Sequence, residues 1–249
     1  MTQFAFYPAE RAAAYEKWSA EYSFEQPEPT PWTPLRRELR RSKVALVTTA
    51  GLRLKTQHSY ARGSAEFREI SSYVSAEDLA FDFTNYDPSE AEKDLNVIVP
   101  VDRLKDLVDR GQLGGLNETY LSFFGACTDL AGLRVSAAAA GEKLRRYGVE
   151  AVFVVPANQG CNQTAALVAR ELERQGISTV CAVTIKEVAR QVRVPRGAFI
   201  NFPFGRTFGR AGETALQESI VADLARALRT LDRPGKILDL PYRWEGVLE

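Results

Sequence analysis

The chain alternates short apolar runs with longer stretches in which apolar residues recur at helical spacing. The run Ala151–Val155 is rich in β-branched residues and contains no polar residue, as is typical of a strand covered on both faces. Segment 213–231 instead repeats Ala, Leu, Val and Ile with helical periodicity. From residue 42 onward, this alternation predicts an α/β fold with a parallel sheet of Rossmann-like or flavodoxin-like architecture.

The same pattern assigns the remaining elements. Strands are predicted at 67–74, 78–83, 119–124, 151–155, 178–183 and 198–202, and segment 42–51 is predicted as a strand that ends in a turn. Helices are predicted at 9–20, 100–111, 135–147, 164–176 and 213–231. The pattern is least regular in region 63–130. Two interpretations of this region stay open: an inserted lobe, or the first half of a two-lobed structure whose cleft lies between the halves.

The predicted organisation has three parts. Residues 1–41 form an N-terminal helix and a proline-rich arm, 42–130 a first α/β lobe, and 131–249 a second lobe that carries the turn around Cys161. In the arm, closely spaced prolines surround Trp32, which favours an extended segment lying on the body of the protein or on a partner subunit. A disordered leader is the alternative.

The composition argues against several classes of function. The 32 basic and 32 acidic residues cancel, so neither nucleic acid nor a membrane surface is predicted as a partner. No apolar run reaches the ~20 residues that span a bilayer, and the first residues lack the pattern of a secretory signal, so a cytoplasmic protein is predicted. With one histidine, His58, and three cysteines without CxxC spacing, we expect no metal, no disulfide framework and no cofactor.

The cysteines are the main candidates for chemistry. Cys161 follows the strand Ala151–Val155 and opens a helix, where backbone N–H groups and the helix dipole favour a thiolate. Cys127 follows the strand at 119–124, so the two thiols are candidates for one crevice, as acid and base or as a transient disulfide. A buried or half-buried structural cysteine is the alternative for each, and Cys181 is expected in the core.

Polar residues beside these turns are candidates for substrate binding, because ligands collect outside the carboxyl ends of parallel strands. They comprise Thr48, Thr49 and Gly51 in the first turn, Asn158, Gln159, Asn162, Gln163 and Thr164 around Cys161, and Arg206 in a later Gly/Arg loop. Ordinary turn formation is the alternative for the first group, and a surface loop for the last.

Short motifs across residues 30–231 share their order and spacing with a known family. They are 44–51, Tyr86-Asp87, 94–104, Ser122-Phe-Phe-Gly125, Cys161-Asn-Gln-Thr164 and 202–217, which begins Phe202-Pro-Phe-Gly205. In these features the chain resembles the B-component family of the selenoenzyme reductases. That family includes the glycine, sarcosine and betaine reductase B subunits and the selenocysteine subunit of D-proline reductase. The resemblance adds Tyr86 to the candidate substrate-binding residues.

The resemblance also shows departures from the family pattern. In better-known members, a selenolate attacks or receives the substrate, and a nearby cysteine resolves the selenium adduct. The resemblance places that cysteine at Cys161 and the selenocysteine at Asn158, and it places family histidines at about Phe83, Asn85 and Asn162. It therefore implies a form without selenocysteine, in which Cys161 is the one transferable nucleophile.

Three hypotheses follow. In the first, the chain is an oxidoreductase-like enzyme whose Cys161 thiolate cleaves a C–N or similar C–heteroatom bond in a small amine or carboxylate. In the second, it is a non-catalytic ligand-binding or assembly subunit of such a complex. In the third, Cys161 and Cys127 serve as base and acid of a cofactor-free racemase or lyase. The expected partners are a small-molecule substrate and either further copies of the chain or other reductase-complex subunits.

Overall fold

A computed structural model describes residues 3–82 and 85–248. The strands are β1 (Lys43–Thr48), β2 (Leu52–Leu54), β3 (Phe67–Ser71), β4 (Leu79–Phe81), β5 (Gly115–Leu116), β6 (Thr119–Phe123), β7 (Ala151–Val155), β8 (Ser178–Val183), β9 (Arg196–Phe199) and β10 (Lys236–Asp239). The α-helices are α1 (Ala9–Glu21), α2 (Ser89–Lys93), α3 (Val101–Asp109), α4 (Leu130–Arg146), α5 (Cys161–Arg174), α6 (Lys186–Gln191) and α7 (Thr214–Thr230). Phe83, which ends one predicted strand, lies outside the described residues.

Most strands join one sheet in the order β10-β9-β8-β7-β1-β6-β3, with the short β5 also pairing with β1. Its pairings are parallel except at the edge, where β3 runs antiparallel to β6. Numbered by their order along the chain, the parallel strands β6-β1-β7-β8-β9-β10 read 2-1-3-4-5-6, which extends the flavodoxin-like order. The predicted α/β class with a mainly parallel sheet is confirmed.

The centre of this sheet is the core of the molecule. Strands β7 and β8 are buried throughout, and β1 is buried from its second residue onward. Neighbouring strands that are buried along their whole length are stable only where both faces of the sheet are covered. In the described residues, α4 packs against α5 and α3 against α7, and both α5 and α7 contact β8.

The observed elements differ from the predicted ones mainly at their ends. Helix α5 begins at Cys161, three residues before the predicted start, because the polar residues of the turn already belong to its first helical turn. Helix α4 begins at Leu130, where the side chain of Asp129 accepts a hydrogen bond from the Gly132 N–H. The division into lobes 42–130 and 131–249 stays a prediction; β1 and β7, one from each segment, are neighbours in the same sheet.

The proline-rich arm runs along the body of the protein and is held by three buried side chains. Arg170 donates hydrogen bonds to the carbonyl oxygens of Pro27 and Pro29, at 2.8 and 2.7 Å. Arg196 donates to the Thr33 carbonyl at 2.7 Å, and its guanidinium lies 3.5 Å from the centroid of the Trp32 ring. Extended backbone has no internal hydrogen bonds of its own, so these donors fix its course.

The third holding side chain, Glu173, forms a fully buried ion pair with Arg196 at 2.5 Å. The same carboxylate accepts hydrogen bonds from the backbone and hydroxyl of Thr179 and from the Thr33 N–H. A buried ion pair is tolerated when further hydrogen bonds surround it, as the bonds to both Glu173 oxygens and from both terminal nitrogens of Arg196 do here. The pair therefore joins α5, β8, β9 and the arm. Within the described residues, no helix is long and apolar enough to span a membrane.

We predict that Arg196→Met lowers the free energy of unfolding by about 3–5 kcal/mol, because it leaves the Glu173 carboxylate buried without its countercharge. Urea denaturation measures the loss. The matched control is Arg146→Met, which breaks an exposed ion pair with Glu142 and should leave the stability nearly unchanged. Equal losses in the two variants would contradict this role of the buried pair.

Candidate functional site

The candidate site lies where the strand order reverses. Strand β1 at this point has β7 on one side and β6 on the other, and the turns that follow all three strands meet at one edge of the sheet. Loops at such a reversal diverge, and this divergence makes the crevice that binds ligands in doubly wound sheets. The Cys161 turn follows β7 and therefore occupies this place.

The crevice is closed by the turn itself. Cys161 is 0% exposed, and its thiol donates a hydrogen bond to the Thr49 carbonyl oxygen at 2.9 Å. In return, the Thr49 hydroxyl donates to the Cys161 carbonyl at 3.3 Å. Gly125 leaves room for the sulfur, since a Cβ at that position would overlap both Cys161 Sγ and the Thr49 carbonyl. The thiol is thus enclosed by the turns of β1, β6 and β7.

This enclosure reverses the expected ionisation of Cys161. The helix N-terminus favours a thiolate, and hydrogen bonds from the backbone of the turn act in the same direction. Removal from water nevertheless dominates and raises the pKa of the Cys161 thiol above its ordinary value. Burial thus acts against the expected thiolate in this conformation, and the role of Cys161 as a nucleophile stays a prediction.

The side chains of Asn158 and Asn162 form hydrogen bonds with the backbone of the Cys161 turn. The side-chain oxygen of Asn158 accepts a hydrogen bond from the Cys161 N–H at 3.0 Å and so satisfies one backbone donor at the start of α5. The Asn162 amide donates to the Asn158 carbonyl and the Thr184 hydroxyl, at 3.0 and 2.8 Å, and its oxygen accepts from the backbone N–H groups of Thr184 and Ile185. The Asn162 amide therefore joins the turns after β7 and β8, whereas the Asn158 side chain bonds within the turn after β7.

The other predicted polar residues are engaged by neighbouring backbone. The hydroxyls of Thr48 and Thr164 donate to the carbonyls of Val155 and Gly125, at 3.2 and 2.6 Å. Gly51 has a φ of +65°, and its N–H donates to the Phe123 carbonyl, so this glycine shapes the turn. These contacts leave the substrate-binding roles of all three residues as predictions.

Two glutamines of the turn behave differently. Gln163 accepts a hydrogen bond from the Glu25 N–H at 3.3 Å and so contacts the arm. Gln159 is half-buried, and within the described part of the chain its side-chain oxygen is buried without a hydrogen-bond partner. An unpaired buried acceptor is costly, which makes Gln159 the turn residue best suited to receive a donor from a ligand.

The other two thiols are also buried. The Cys127 thiol donates to the Asp129 carbonyl at 3.3 Å, and burial raises its pKa to about 11. Cys181 lies within β8, as predicted for a core residue, and burial raises its pKa to about 12. Cys127 and Cys161 thus contact carbonyls of different loops, and their pairing as acid and base stays a prediction.

A cavity of about 250 Å³ lies beside this turn. It is lined by Tyr7, Arg11, Tyr86, Asp87, Phe204, Arg206 and Leu248. The loop that contributes Arg206 is fixed to the turn after β7: the Gly205 N–H donates to the Ala157 carbonyl at 2.8 Å, and the Thr207 hydroxyl donates to the Pro156 carbonyl at 3.0 Å. The cavity and the Cys161 turn are therefore parts of one assembly.

Tyr86 connects the cavity to the thiol. It is 7% exposed, and within the described residues its hydroxyl has no hydrogen-bond partner. Burial raises the pKa of Tyr86, and the nearby Cys161 raises it further, so the two side chains are within electrostatic range of each other. The phenol is therefore a neutral donor at the inner wall of the cavity.

The charge of the cavity comes from Arg206, Arg11 and Asp87. Arg206, only 8% exposed, forms an ion pair with Asp87 at 2.8 Å. The guanidinium of Arg11 lies 4.6 Å from the centroid of the Tyr7 ring. Hydrogen bonds from the Ser89 backbone and from Arg206 lower the pKa of Asp87, so this carboxyl is ionised at neutral pH. Two cations against one anion leave the cavity positive.

Sequence reasoning selected Tyr86 and Arg206 but missed Tyr7, Arg11 and Asp87. Tyr7 accepts a hydrogen bond from the Phe204 N–H at 2.9 Å, and burial raises its pKa to about 12. The available signal was the aromatic cluster around residues 4–7, too dense for a solvated leader. Within the described residues, no group of three His, Cys, Asp or Glu side chains is arranged to hold a metal.

Comparison with known proteins defines the class of this chain. The model of the glycine/sarcosine/betaine reductase selenoprotein B (GRDB) family matches residues 12–157, more than half of its length. The chain therefore belongs to this family, as the sequence motifs indicated. No solved structure matches it.

Individual relatives are subunits of named reductases. D-proline reductase subunit gamma of Acetoanaerobium sticklandii is 29% identical over 218 residues, which cover 87% of this chain and 90% of that subunit. Glycine reductase complex component B subunit gamma of Symbiobacterium thermophilum is 27% identical over 225 residues, covering 86% of this chain and 52% of that subunit. Sarcosine reductase complex component B subunit beta of Peptoclostridium acidaminophilum is 26% identical, with the same coverage. The chain spans about half the length of the last two.

We predict that Cys161 resists alkylation in the native chain at any pH below its ordinary pKa of about 8.5, because burial keeps the thiol protonated and out of contact with the reagent. Iodoacetamide labelling followed by mass spectrometry of the peptides measures the extent of modification at each cysteine. Labelling in urea is the control and should reach all three thiols. Rapid native labelling of Cys161 at neutral pH would contradict the enclosed thiol.

Proposed function

We propose that the chain is a substrate-binding subunit of a reductase complex of the glycine, proline and betaine type. It holds a small carboxylated or amine-bearing molecule in the cavity between Tyr86 and Arg206. One observation carries the proposal: the cavity brings a buried guanidinium to a buried phenol that has no partner among the described residues, while the Cys161 thiol is enclosed beside it. The names of the relatives, all subunits of reductases, support a role in a complex.

The charges of the cavity favour a ligand that carries a carboxylate. Arg206 presents rigid N–H donors, which suit carboxylate geometry, and its guanidinium is already fixed by the ion pair with Asp87. Arg11 adds a second positive charge from α1. Asp87 offers a countercharge for an ammonium group, because half of its side chain is exposed. An amino acid or a betaine carries both charges at a separation that fits a cavity of this size.

Tyr86 supplies the remaining polar contact. A buried hydroxyl without a partner costs free energy that a ligand oxygen recovers by accepting its hydrogen bond. Gly205 lets the ring pack closely against the loop after β9, since a Cβ at that position would overlap the ring of Tyr86. Its donor therefore occupies a fixed position before a ligand arrives, and this lowers the cost of binding.

A second candidate function is catalysis at Cys161, and the attachment of the cavity loop to the Cys161 turn favours it. Displacement by the thiol would form a C–S bond, break the C–N bond and release the amine, which takes the thiol proton. Return to the free thiol then breaks the C–S bond and leaves a C–H bond on the substrate carbon; the two electrons and two protons come from an external dithiol, which becomes a disulfide. This route first requires the thiol to leave the Thr49 carbonyl, and the enclosed conformation is why we rank it second.

We predict that Arg206→Met weakens the binding of glycine, sarcosine, betaine or D-proline by about tenfold or more, because a charge-assisted hydrogen bond to a carboxylate is lost. Isothermal titration calorimetry of the purified chain measures the affinity. Cys161→Ala should stay within about twofold of the wild type if the ligand occupies the cavity.

The matched control is Arg233→Met, which removes an exposed arginine far along the chain from the cavity loops. Unchanged affinity in Arg206→Met would contradict the proposed cavity. Equal losses in Cys161→Ala and Arg206→Met would instead place the ligand against the thiol and favour the catalytic candidate.

A further inference from the structure

A second charged surface lies at the opposite edge of the sheet, away from the Cys161 turn. It is an open groove of about 500 Å³ at the amino ends of β1 and β8 and just before β7. Its charged lining residues are Arg36, Arg37, Arg41, Lys43, Arg145 and Glu150. We call this surface the basic groove; it contains five cations and one carboxylate.

The cations of the basic groove are largely unneutralised. Arg37 forms one long ion pair with Glu150, at 3.5 Å. Lys43 donates a hydrogen bond to the Tyr147 carbonyl at 3.0 Å, which leaves its charge in place. Within the part of the chain that the structure describes, Arg36, Arg41 and Arg145 form no ion pair. The zero net charge of the whole chain conceals this local excess.

The backbone that carries Arg36, Arg37 and Arg41 is held in position, while their side chains are exposed. Leu39 lies in the core between them, and the Gly114 N–H donates to the carbonyls of Leu39 and Ser42, at 2.8 and 3.1 Å. A Cβ at Gly114 would overlap the backbone of Arg41 and Ser42, so the loop and the basic segment are in close contact. A mobile basic tail would lose backbone conformational entropy on binding a partner. The backbone of this segment is already ordered in the folded chain, so that loss is smaller.

The shape of the basic groove distinguishes among anionic partners. A compact phosphate is bound best by helix N-termini and backbone N–H groups, but α4 and α5 end beside this edge and present carbonyls instead. A single-stranded nucleic acid needs aromatic rings for stacking, and none of the described residues that line the groove is aromatic. A flat bilayer surface does not enter a recess. Carboxylates spaced along a polypeptide fit both the shape and the scattered guanidiniums.

We infer that the basic groove is a docking site for an acidic polypeptide segment of a partner protein. The amino ends of three adjacent strands span about 10 Å, so an extended segment of three or four residues crosses the groove. Its carboxylates pair with Arg36, Arg37, Arg41 and Arg145. This inference uses no residue of the substrate cavity and does not depend on the proposed function.

The test uses a fluorescein-labelled hexaglutamate peptide and fluorescence anisotropy at low ionic strength. We expect the native chain to bind the peptide and the double variant R37A/R41A to bind it at least about tenfold more weakly, because two charge-assisted contacts are lost. The control R62A/R233A removes the same charge at exposed positions outside the groove and should stay within about twofold. Glu150→Gln removes the repelling carboxylate and should tighten binding.

Each other result overturns the inference. Absence of peptide binding at low ionic strength removes the site, and equal weakening in both double variants means that only net charge matters. Stronger competition by tripolyphosphate, oligothymidine or phosphatidylserine vesicles than by unlabelled hexaglutamate assigns the groove to another class of anion. Circular dichroism of each variant verifies that the fold is retained.

Discussion

The reciprocal contact between Thr49 and Cys161 is the constraint on which the site depends. At a reversal of strand order, the turns either stay apart and admit a ligand or close on each other. Here the thiol and the hydroxyl each donate to the carbonyl of the other residue, and Gly125 provides the space in which the sulfur lies. Closure removes Cys161 from water, and the open cavity lies beside the turn, where Tyr86 and Arg206 line it.

The position of Cys161 at the start of α5 could be predicted from the sequence, whereas the burial of its thiol could not. Apolar, β-branched β7 followed by the polar turn and α5 is a local pattern, so the fold class and the position of Cys161 were accessible. Burial of the thiol is not local. It depends on Thr49, 112 positions away along the chain, and on Gly125 in the turn after β6. The helix N-terminus and desolvation act on the thiol pKa in opposite directions, and only the packing decides which is larger.

Long-range contacts also explain the missed residues. Arg206 stood out because it lies in a Gly/Arg loop, but Arg11 reaches the cavity only because α1 packs against it. The basic groove is similar: its arginines at 36–41 and 145 are far apart in sequence, and acidic residues elsewhere cancel their charge in the total. Composition reports a sum, whereas recognition depends on where the charges are placed.

The most direct test of the account is a crystal structure of the chain with betaine or D-proline bound. The account predicts ligand density in the cavity, with the carboxylate on Arg206 and an oxygen on the Tyr86 hydroxyl, while Cys161 Sγ still contacts the Thr49 carbonyl. Density against Cys161 Sγ, with the contact to Thr49 broken, would contradict it and would identify the thiol as the reacting group.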